Sequence, residues 1–242
     1  MMLLPLYFSI LFSFILGRKR DFHADSRILI AHYNPTPEIR DTDLIPQTGP
    51  FLVTLNHYSR PGFFILWAAA AISAALPRPS TWLMTSAWTN RTGGVDRLRT
   101  WLSQIIFERL AEMYGMVTMP PMPPVPGDSA ERALSIRRLL HRMRADKDAI
   151  VCVAPEGMDF PGGELGVPHP GTGKLLLQIA NTTRQVLPVG VFEVDGRLVI
   201  RFGKPYVLTL SDGLEDVDRA ASDEAMHRIA ALLPEGMRGV YG

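Results

Sequence analysis

One histidine stands at the kind of position where α/β proteins carry reactive groups. Residues 51–55 form an apolar, strand-like stretch, and residues 56–62 after it read Asn-His-Tyr-Ser-Arg-Pro-Gly, which places the histidine at position 57. A histidine just beyond a strand can reach a bound substrate, and imidazole is the side chain that most often transfers protons in catalysis. A lone His57 bonded to nearby backbone is the simpler alternative, so a chemical role needs support from the rest of the sequence.

A second candidate follows another apolar stretch, residues 149–153. The chain continues there as Ala154-Pro155-Glu156-Gly157. A carboxylate at a strand end can bond to hydroxyl groups of a substrate, and a glycine beside it lets the substrate approach the backbone. Taken alone, the three residues after Ala154 are read more simply as a turn.

Together the two stretches resemble motifs of the glycerolipid acyltransferase family, of the lysophosphatidic acid acyltransferase type. Asn56, His57 and Ser59 match the family's first motif, Asn-His-x-Ser-x-x-Asp. Residues 154–159 are similar to its Phe-Pro-Glu-Gly-Thr-Arg motif through their Pro-Glu-Gly core. Both matches follow strand-like stretches, which is the context that the chemistry requires.

Two further stretches stand in the order that the family has. Residues 186–191 are similar to its Val-Pro-Val-x-Ile strand, and residues 202–205 are similar to its Gly-x-Pro ending. The matches extend over residues 50–205 with helical spacing between them. Several motifs in one order are far more specific than any motif alone.

The resemblance implies an enzyme that moves a fatty acyl group from a thioester to a hydroxyl group. This reaction needs a base that takes the hydroxyl proton and donors that stabilise the oxyanion at the carbonyl. The resemblance assigns the base to His57, and it implies acyl-CoA or acyl-carrier protein as co-substrate, with no further cofactor. Substrate binding is expected from the other motif residues, which are Asn56, Ser59, Pro155, Glu156, Gly157 and Asp159.

The first motif departs from the family at its last position. Gly62 replaces the aspartate that orients the histidine in the family. In serine proteases, altering the equivalent partner lowers the rate about ten-thousand-fold. Three explanations stay open: another acid such as Asp159 or Asp96 takes its place in space, His57 acts slowly without a partner, or catalysis has been lost.

The family's phosphate-binding positions are also altered. Asp159 stands where the family has an arginine that binds the acceptor's phosphate, and residues 115–120, which correspond to a second phosphate-binding strand, contain no basic residue. A carboxylate a few ångströms from a phosphate repels it by about 1 kcal/mol or more even in a well-screened site. We therefore expect a lipid or polyol hydroxyl, or an amine, as acceptor, and not glycerol phosphate in the usual pose.

Residues 171–174 read Gly-Thr-Gly-Lys at the start of a helix predicted over residues 172–181. The surrounding residues do not complete a nucleotide-binding P-loop, so ATP is not expected. Lys174 and the free N–H groups of a helix start can bind the phosphate of a phosphopantetheine donor. Initiation of the helix alone is the simpler alternative.

Composition argues against several other classes of function. Lys plus Arg number 25 and Asp plus Glu 24, so the net charge of +1 gives no field that favours nucleic acid. Cys152 is the only cysteine and lies in an apolar stretch, which favours a packed small residue. The six histidines are scattered without the spacing of metal ligands, and no metal site is predicted.

The N-terminal segment is the strongest anomaly of composition. Residues 1–16 are almost wholly apolar, and Arg18, Lys19 and Arg20 follow them, which is the reverse of the order in a secretory signal peptide. A helix of this length spans about 24 Å, against roughly 30 Å for a bilayer core. We therefore predict a shallow or re-entrant membrane-anchoring helix whose basic flank lies at the cytoplasmic headgroups. A buried core helix is the alternative.

Elsewhere, strand-like stretches alternate with helical patterns. Further strands are predicted near residues 27–31, 82–84, 115–119, 186–194 and 198–202, and further helices over residues 63–76, 95–114, 128–144 and 222–233. This alternation predicts an α/β fold with a mostly parallel sheet and helices on both faces. We divide the chain into a membrane anchor with its basic flank (1–20), a connecting segment (21–49) and an acyltransferase-like α/β domain (50–242).

The sequence thus predicts a membrane-associated acyltransferase of lipid metabolism, with a place in phospholipid biosynthesis, at the cytoplasmic face of a membrane. Its predicted partners are membrane lipid and the acyl donor. A catalytically silent lipid- or acyl-chain-binding member of the same fold is the alternative. A hydrolase is not favoured, because the Gly-x-Ser-x-Gly nucleophile motif is missing from the sequence.

The acidic residue at position 159 generates a first testable prediction. In a screen of acceptors with acyl-CoA as donor, glycerol-phosphate-based acceptors should be poor, and Asp159→Arg should improve them, because the substitution turns repulsion of the phosphate into attraction. Strong activity of the unaltered protein on lysophosphatidic acid would overturn the argument.

Overall fold

The computed structural model describes residues 3–88, 94–123, 125, 127–158, 160, 163–210 and 215–242, and of residues 94–97 only the backbone. The strands are β1 Glu38–Arg40, β2 Phe51–Leu55, β3 Thr81–Thr85, β4 Val117–Met119, β5 Ile150–Val153, β6 Gln185–Val194 and β7 Arg197–Phe202. The helices are α1 Leu4–Leu16, α2 Phe22–Ala31, α3 Ile65–Ala75, α4 Gly94–Tyr114, α5 Asp128–Ala145, α6 Thr172–Thr183 and α7 Val217–Ala230. Short 3-10 helices lie at Thr42–Leu44, Glu235–Met237 and Gly239–Tyr241.

The strands form one sheet in the order β1-β7-β6-β2-β5-β3-β4. Every neighbouring pair is parallel except β6 and β7, which form an antiparallel hairpin. Asp195 and Gly196 connect the two strands, both with positive φ, as an Asp-Gly hairpin turn requires. The predicted α/β fold with a mostly parallel sheet is confirmed.

The two faces of the sheet are both covered by helices, which explains why the central strands are apolar without alternation. Val53 and Leu55 pack on the side of α2 and α3, whereas Leu52 packs on the side of α5, α6 and α7. Cys152 is fully buried among the first group, and burial raises the pKa of its thiol. The prediction of a packed, small cysteine is therefore confirmed.

The segment before β2 differs from the expectation, because it contributes a helix and a strand to the fold. The strand predicted over residues 27–31 is wrong, because these residues belong to α2. Asp21 caps this helix and accepts hydrogen bonds from the backbone N–H groups of His23 (2.9 Å) and Ala24 (3.3 Å). The β-branched Ile30 is buried, so packing outweighs its preference for strands. Further on, β1 pairs with β7.

Helix α1 is joined to the rest of the protein through Arg20. Its guanidinium donates to both carboxylate oxygens of Asp25 at 2.7 Å and to the hydroxyl groups of Ser9 (2.7 Å) and Ser13 (3.3 Å) of α1. Tyr114 donates its hydroxyl to the same Asp25 at 3.0 Å. We call these contacts of Arg20, Asp25 and Tyr114 the Arg20 network.

The predicted basic flank is wrong for one of its three residues, Arg20. The Arg20 side chain is only 16% exposed and points inward, so it is not available to headgroups. Arg18 and Lys19 are exposed, as predicted for a basic flank. Among the described residues, no helix combines the length and the apolar composition needed to cross a bilayer.

The buried carboxylate of the Arg20 network should be important for stability. Asp25→Ala leaves the guanidinium of Arg20 without its partner, and the free energy of unfolding should fall by about 3 kcal/mol or more. Urea denaturation of the full-length protein in mild detergent measures this change. Glu224→Gln, which removes an exposed ion pair with Arg228, is the matched control and should cost at most about 1 kcal/mol. Equal effects of the two substitutions would contradict the importance of the network.

Candidate active site

The two predicted site residues come together at the carboxyl ends of neighbouring strands. Thr54 of β2 lies opposite Val153 of β5, and His57 and Glu156 each follow three residues later. The backbone N–H of His57 donates to a carboxylate oxygen of Glu156 at 2.5 Å. Residues 99 positions apart in the chain therefore form one unit at this edge of the sheet. This edge is where open α/β sheets bind their ligands.

Glu156 occupies a buried position beneath this loop. It is 1% exposed, and its second carboxylate oxygen accepts a hydrogen bond from the backbone N–H of Gly166 at 2.8 Å. Pro155 is buried beside it, and Gly157 closes the turn with its N–H on the carbonyl of Ala154 (3.1 Å). Gly157 has a φ of +68°, which a residue with a side chain rarely adopts. The structure therefore places the Glu156 carboxylate among backbone N–H groups, where it positions two loops.

Asn56 attaches the same loop to the strand on the other side of β2. Its amide nitrogen donates to the carbonyl of Val191 (2.8 Å), and its amide oxygen accepts from the N–H of Val191 (2.7 Å). The side chain is buried, with 1% of the residue exposed. His57 and Ser59 are half-buried and lie at the surface of the edge. Among the matched residues of the first motif, the latter two are thus the ones open to a ligand.

Three residues that the sequence analysis did not single out complete the loop. Arg60 forms an ion pair with Glu193, with 2.7 Å between its Nη2 and Oε1, and Tyr58 donates its hydroxyl to the same carboxylate at 3.0 Å. Arg60 holds the pKa of Glu193 below its usual range. Burial, followed by the hydrogen bond to Glu193, raises the pKa of Tyr58. Arg60 and Tyr58 are visible inside the first motif, but their partner is 133 residues or more away.

Gly62, at the position of the family's aspartate, is exposed and contributes no carboxylate. Its φ is +79°, a left-handed conformation that glycine adopts freely and that aspartate tolerates better than most residues. An added Cβ would have its nearest contact with Nη1 of Arg60, at 3.9 Å. Space is therefore available for an aspartate here, which would have to adopt a strained backbone conformation. Asp159 and the side chain of Asp96, the two proposed substitutes, lie outside the described residues.

The strand that corresponds to the family's second phosphate-binding motif ends near the same edge. β4 carries no basic residue, as the sequence indicated. A cation approaches from a helix instead: Arg132 of α5 donates its Nη2 to the carbonyl of Pro120, just after β4, at 3.3 Å. The sequence analysis missed Arg132, because the arginines of α5 have the spacing of an ordinary solvated helix face.

The start of α6 is engaged within the protein. The backbone N–H groups of Gly171 and Lys174 donate to the two carboxylate oxygens of Asp218, at 2.6 Å and 2.8 Å. Asp218 belongs to α7, which packs so closely that a Cβ on Gly173 would meet the Asp218 carbonyl at 1.7 Å. A donor phosphate at these N–H groups would have to displace a carboxylate. The side chain of Lys174 is exposed.

The comparison with known families decides the class of this site. A family model described as Acyltransferase matches residues 36–192, well over half of the chain, and this match includes His57 and Glu156. The chain belongs to the acyltransferase family. This confirms the family that the motifs predicted, and with it the prediction that the protein is an enzyme of the acyltransferase class.

Two other comparisons give less information about the relatives of this protein. Among solved structures, the chain is similar to the 1-acyl-sn-glycerophosphate (LPA) acyltransferase PlsC from Thermotoga maritima. The two are 15% identical, the similarity covers 87% of this chain and 77% of that chain, and the TM-score is 0.49. No curated protein sequence matches the chain.

Among the described residues, no group of three or more His, Cys, Asp or Glu side chains is placed to hold a metal ion.

The position of Glu156 generates a prediction. Glu156→Gln replaces one carboxylate oxygen by an amide that faces a backbone N–H, so a hydrogen bond is lost and two donors oppose each other. The free energy of unfolding should fall by about 1–3 kcal/mol, and kcat should fall at least about tenfold because the His57 loop moves. Steady-state kinetics and thermal unfolding measure both effects. Glu164→Gln, an exposed neighbour, should change neither, and a fully active, stable Glu156→Gln would contradict a positioning role.

Proposed function

We propose that this acyltransferase moves a fatty acyl group from acyl-CoA or acyl-carrier protein to a hydroxyl or amine group of a lipid or polyol at the cytoplasmic surface of a membrane. The observation that carries the proposal is the unit of His57 and Glu156, which lies within the matched region at the carboxyl ends of β2 and β5. A thioester and an acceptor can approach this edge, because His57 and Ser59 are only half-buried.

In the proposed reaction, His57 is the general base. Its imidazole takes the proton of the acceptor group while the acceptor's oxygen or nitrogen attacks the thioester carbonyl. The C–S bond then breaks, and the imidazolium returns the proton to the departing sulfur, which leaves as the thiol. Glu156 and Asn56 hold the backbone of the His57 loop from β5 and from β6, so that the imidazole starts from one position. Fixed geometry of this kind lowers the entropic part of the barrier.

The proposed acceptor differs from glycerol phosphate in its usual pose. Asp159 replaces the arginine of the family pattern, and β4 lacks a basic residue. An anionic group near the end of β4 would meet Arg132 of α5 instead, which approaches from another direction. A neutral or amine-bearing acceptor fits the charges of this edge better than a phosphate in the family's position.

Membrane association is proposed for α1. Its exposed side chains are large and apolar, with Phe8, Leu11 and Ile15 each more than half exposed. Burial of such side chains in the interfacial region of a bilayer is favourable, and Arg18 and Lys19 would lie near anionic headgroups. Helix α1 has 13 residues. At 1.5 Å per residue it spans about 20 Å, against roughly 30 Å for a bilayer core, so a position in one leaflet accounts for both its length and its composition.

The catalytic proposal depends on His57, and His57→Ala tests it. Acyl transfer should fall to the background rate, whereas the thermal midpoint and the binding of acyl-CoA should change little, since the side chain is half-buried and lies at the edge. His141→Ala, an exposed histidine of α5, is the matched control and should retain full activity. A folded His57→Ala variant that transfers acyl groups as fast as the parent would refute His57 as the base, whereas a folded parent that binds acyl-CoA but acylates no acceptor would favour a lipid-binding role.

A further inference from the structure

Helix α4 exposes an apolar stripe that no part of the described protein covers. The stripe consists of five large hydrophobic residues, each between 44% and 57% exposed: Leu98, Trp101, Leu102, Ile105 and Ile106. Their positions follow the i, i+3, i+4, i+7, i+8 spacing of one side of a helix. In a water-soluble domain such a side normally packs on the core. Here it faces outward, and we call it the α4 stripe.

The α4 stripe is not the side through which the helix packs on the protein. That side carries Ser103 and Ala111, which are both buried. The hydroxyl of Ser103 accepts a hydrogen bond from the backbone N–H of Trp88 at 2.9 Å. The helix therefore has a core-facing side of its own, and the α4 stripe is additional apolar surface. Contiguous exposed apolar surface of this kind marks a site of interaction.

The α4 stripe continues into helix α1. Arg109 lies one helical turn beyond Ile105, and it donates to the carbonyl groups of Phe14 (2.9 Å) and Ile15 (3.3 Å) at the end of α1. Gly17 lies against this guanidinium, and a Cβ there would be 2.6 Å from a nitrogen of Arg109. Arg109 thus attaches the end of α1 in line with the stripe.

Helix α1 exposes side chains of the same kind with the same spacing. Seven of them are exposed, and they are Leu4, Tyr7, Phe8, Leu11, Phe12, Ile15 and Leu16. The Arg20 network and Arg109 attach α1 to α2 and α4, so that its orientation is part of the fold. The exposed apolar residues of α1 and α4 are therefore joined at Arg109 and held in a fixed relation to each other, so that together they are one candidate surface.

The charges beside this surface favour a lipid bilayer over another protein. Arg18 and Lys19 are exposed at the end of α1, and the Arg18 guanidinium lies 5.5 Å above the ring of Phe12. Cations at the rim of an apolar surface complement anionic headgroups while their stems remain in contact with apolar groups. Tyr7 and Trp101 belong to the surface, and tyrosine and tryptophan are the residue types that membrane proteins concentrate at the membrane–water interface.

Aromatic contacts connect α4 with the loop of the candidate active site. Phe107 of α4 contacts Trp88 edge-to-face, with 4.9 Å between the ring centroids, and Trp88 lies 6.3 Å from Phe64 in the same way. Phe64 follows Gly62 by two residues. These ring contacts place the core-facing side of α4 against the segment that follows the His57 loop.

We propose that the α4 stripe is a second membrane-binding element, and that α1 and α4 lie together in one leaflet as a rigid interfacial surface. This inference rests on the membrane association proposed for α1, and it adds that α1 does not act as an independent anchor. A phospholipid bilayer with anionic headgroups is the occupant of the whole surface.

The test measures partition of the full-length protein into vesicles of phosphatidylcholine and phosphatidylglycerol by flotation. The double variant Trp101→Gln with Ile105→Gln should bind at least about tenfold more weakly than the parent, because two buried apolar groups are lost from the bound state. The double variant Leu134→Gln with Val240→Gln removes two large apolar residues that are at least as exposed elsewhere on the protein, and it should bind like the parent. Parental binding by the α4 variant would overturn the inference.

Two further variants separate this inference from the proposal on α1. Phe8→Gln with Leu11→Gln should also weaken binding. If it does so while the α4 variant binds like the parent, membrane association stands and the α4 stripe has no part in it. If the parent itself does not bind vesicles, both proposals fail. Trp101→Leu keeps the apolar side chain, so it should retain binding and lose much of the fluorescence quenching by lipids brominated in their acyl chains.

The α4 stripe could instead be an interface between two copies of the chain. In that case the parent would be a dimer in detergent-free solution, and the Trp101→Gln with Ile105→Gln variant would be a monomer that still binds vesicles. Light scattering after size exclusion measures the mass of both. A parent dimer that the α4 variant dissociates without loss of vesicle binding would overturn the inference.

Discussion

The carboxylate of Glu156 is the interaction on which the geometry of the site depends. It accepts hydrogen bonds from two backbone N–H groups, that of His57 in the loop after β2 and that of Gly166 in the loop after β5. Asn56 provides the corresponding attachment to Val191 of β6. The loop of His57 is therefore held from both neighbouring strands by buried polar groups, whose loss would leave unsatisfied donors in the interior. Asn56 and Glu156, which the motifs suggested as substrate-binding residues, therefore hold the loop that carries His57.

Charged groups around this edge of the sheet are likewise paired with other groups of the chain. Glu193 is paired with Arg60, and Asp218 occupies the start of α6. Carboxylates of the chain thus use cations and N–H groups that could otherwise bind an anion. Arg132, which approaches the end of β4 from α5, adds a cation in a place that the strand pattern does not indicate. These pairings support the proposal that the acceptor is not bound through a phosphate group.

The sequence was sufficient for features that depend on neighbouring residues and insufficient for those that depend on distant partners. The strand before His57 and the strand before Glu156 followed from local composition. Helix α7 begins at Val217, earlier than predicted, because Asp216 caps it with a bond to the N–H of Arg219. The partner of Arg60 and the inward position of Arg20 could not be foreseen, since each depends on a carboxylate that only the packed structure brings close.

The central position of β2 and β5 has a consequence for how the protein loses its structure. These strands lie in the middle of the sheet, with β1 and β4 at its two edges. Opening of a protein begins at edges and termini, and the interior strands separate only when the whole domain unfolds. The halves of the site are 99 residues apart in the chain and meet only through the pairing of these two strands. Loss of activity on heating is thus tied to cooperative unfolding of the whole domain, whereas fraying of the sheet edges leaves the histidine in place.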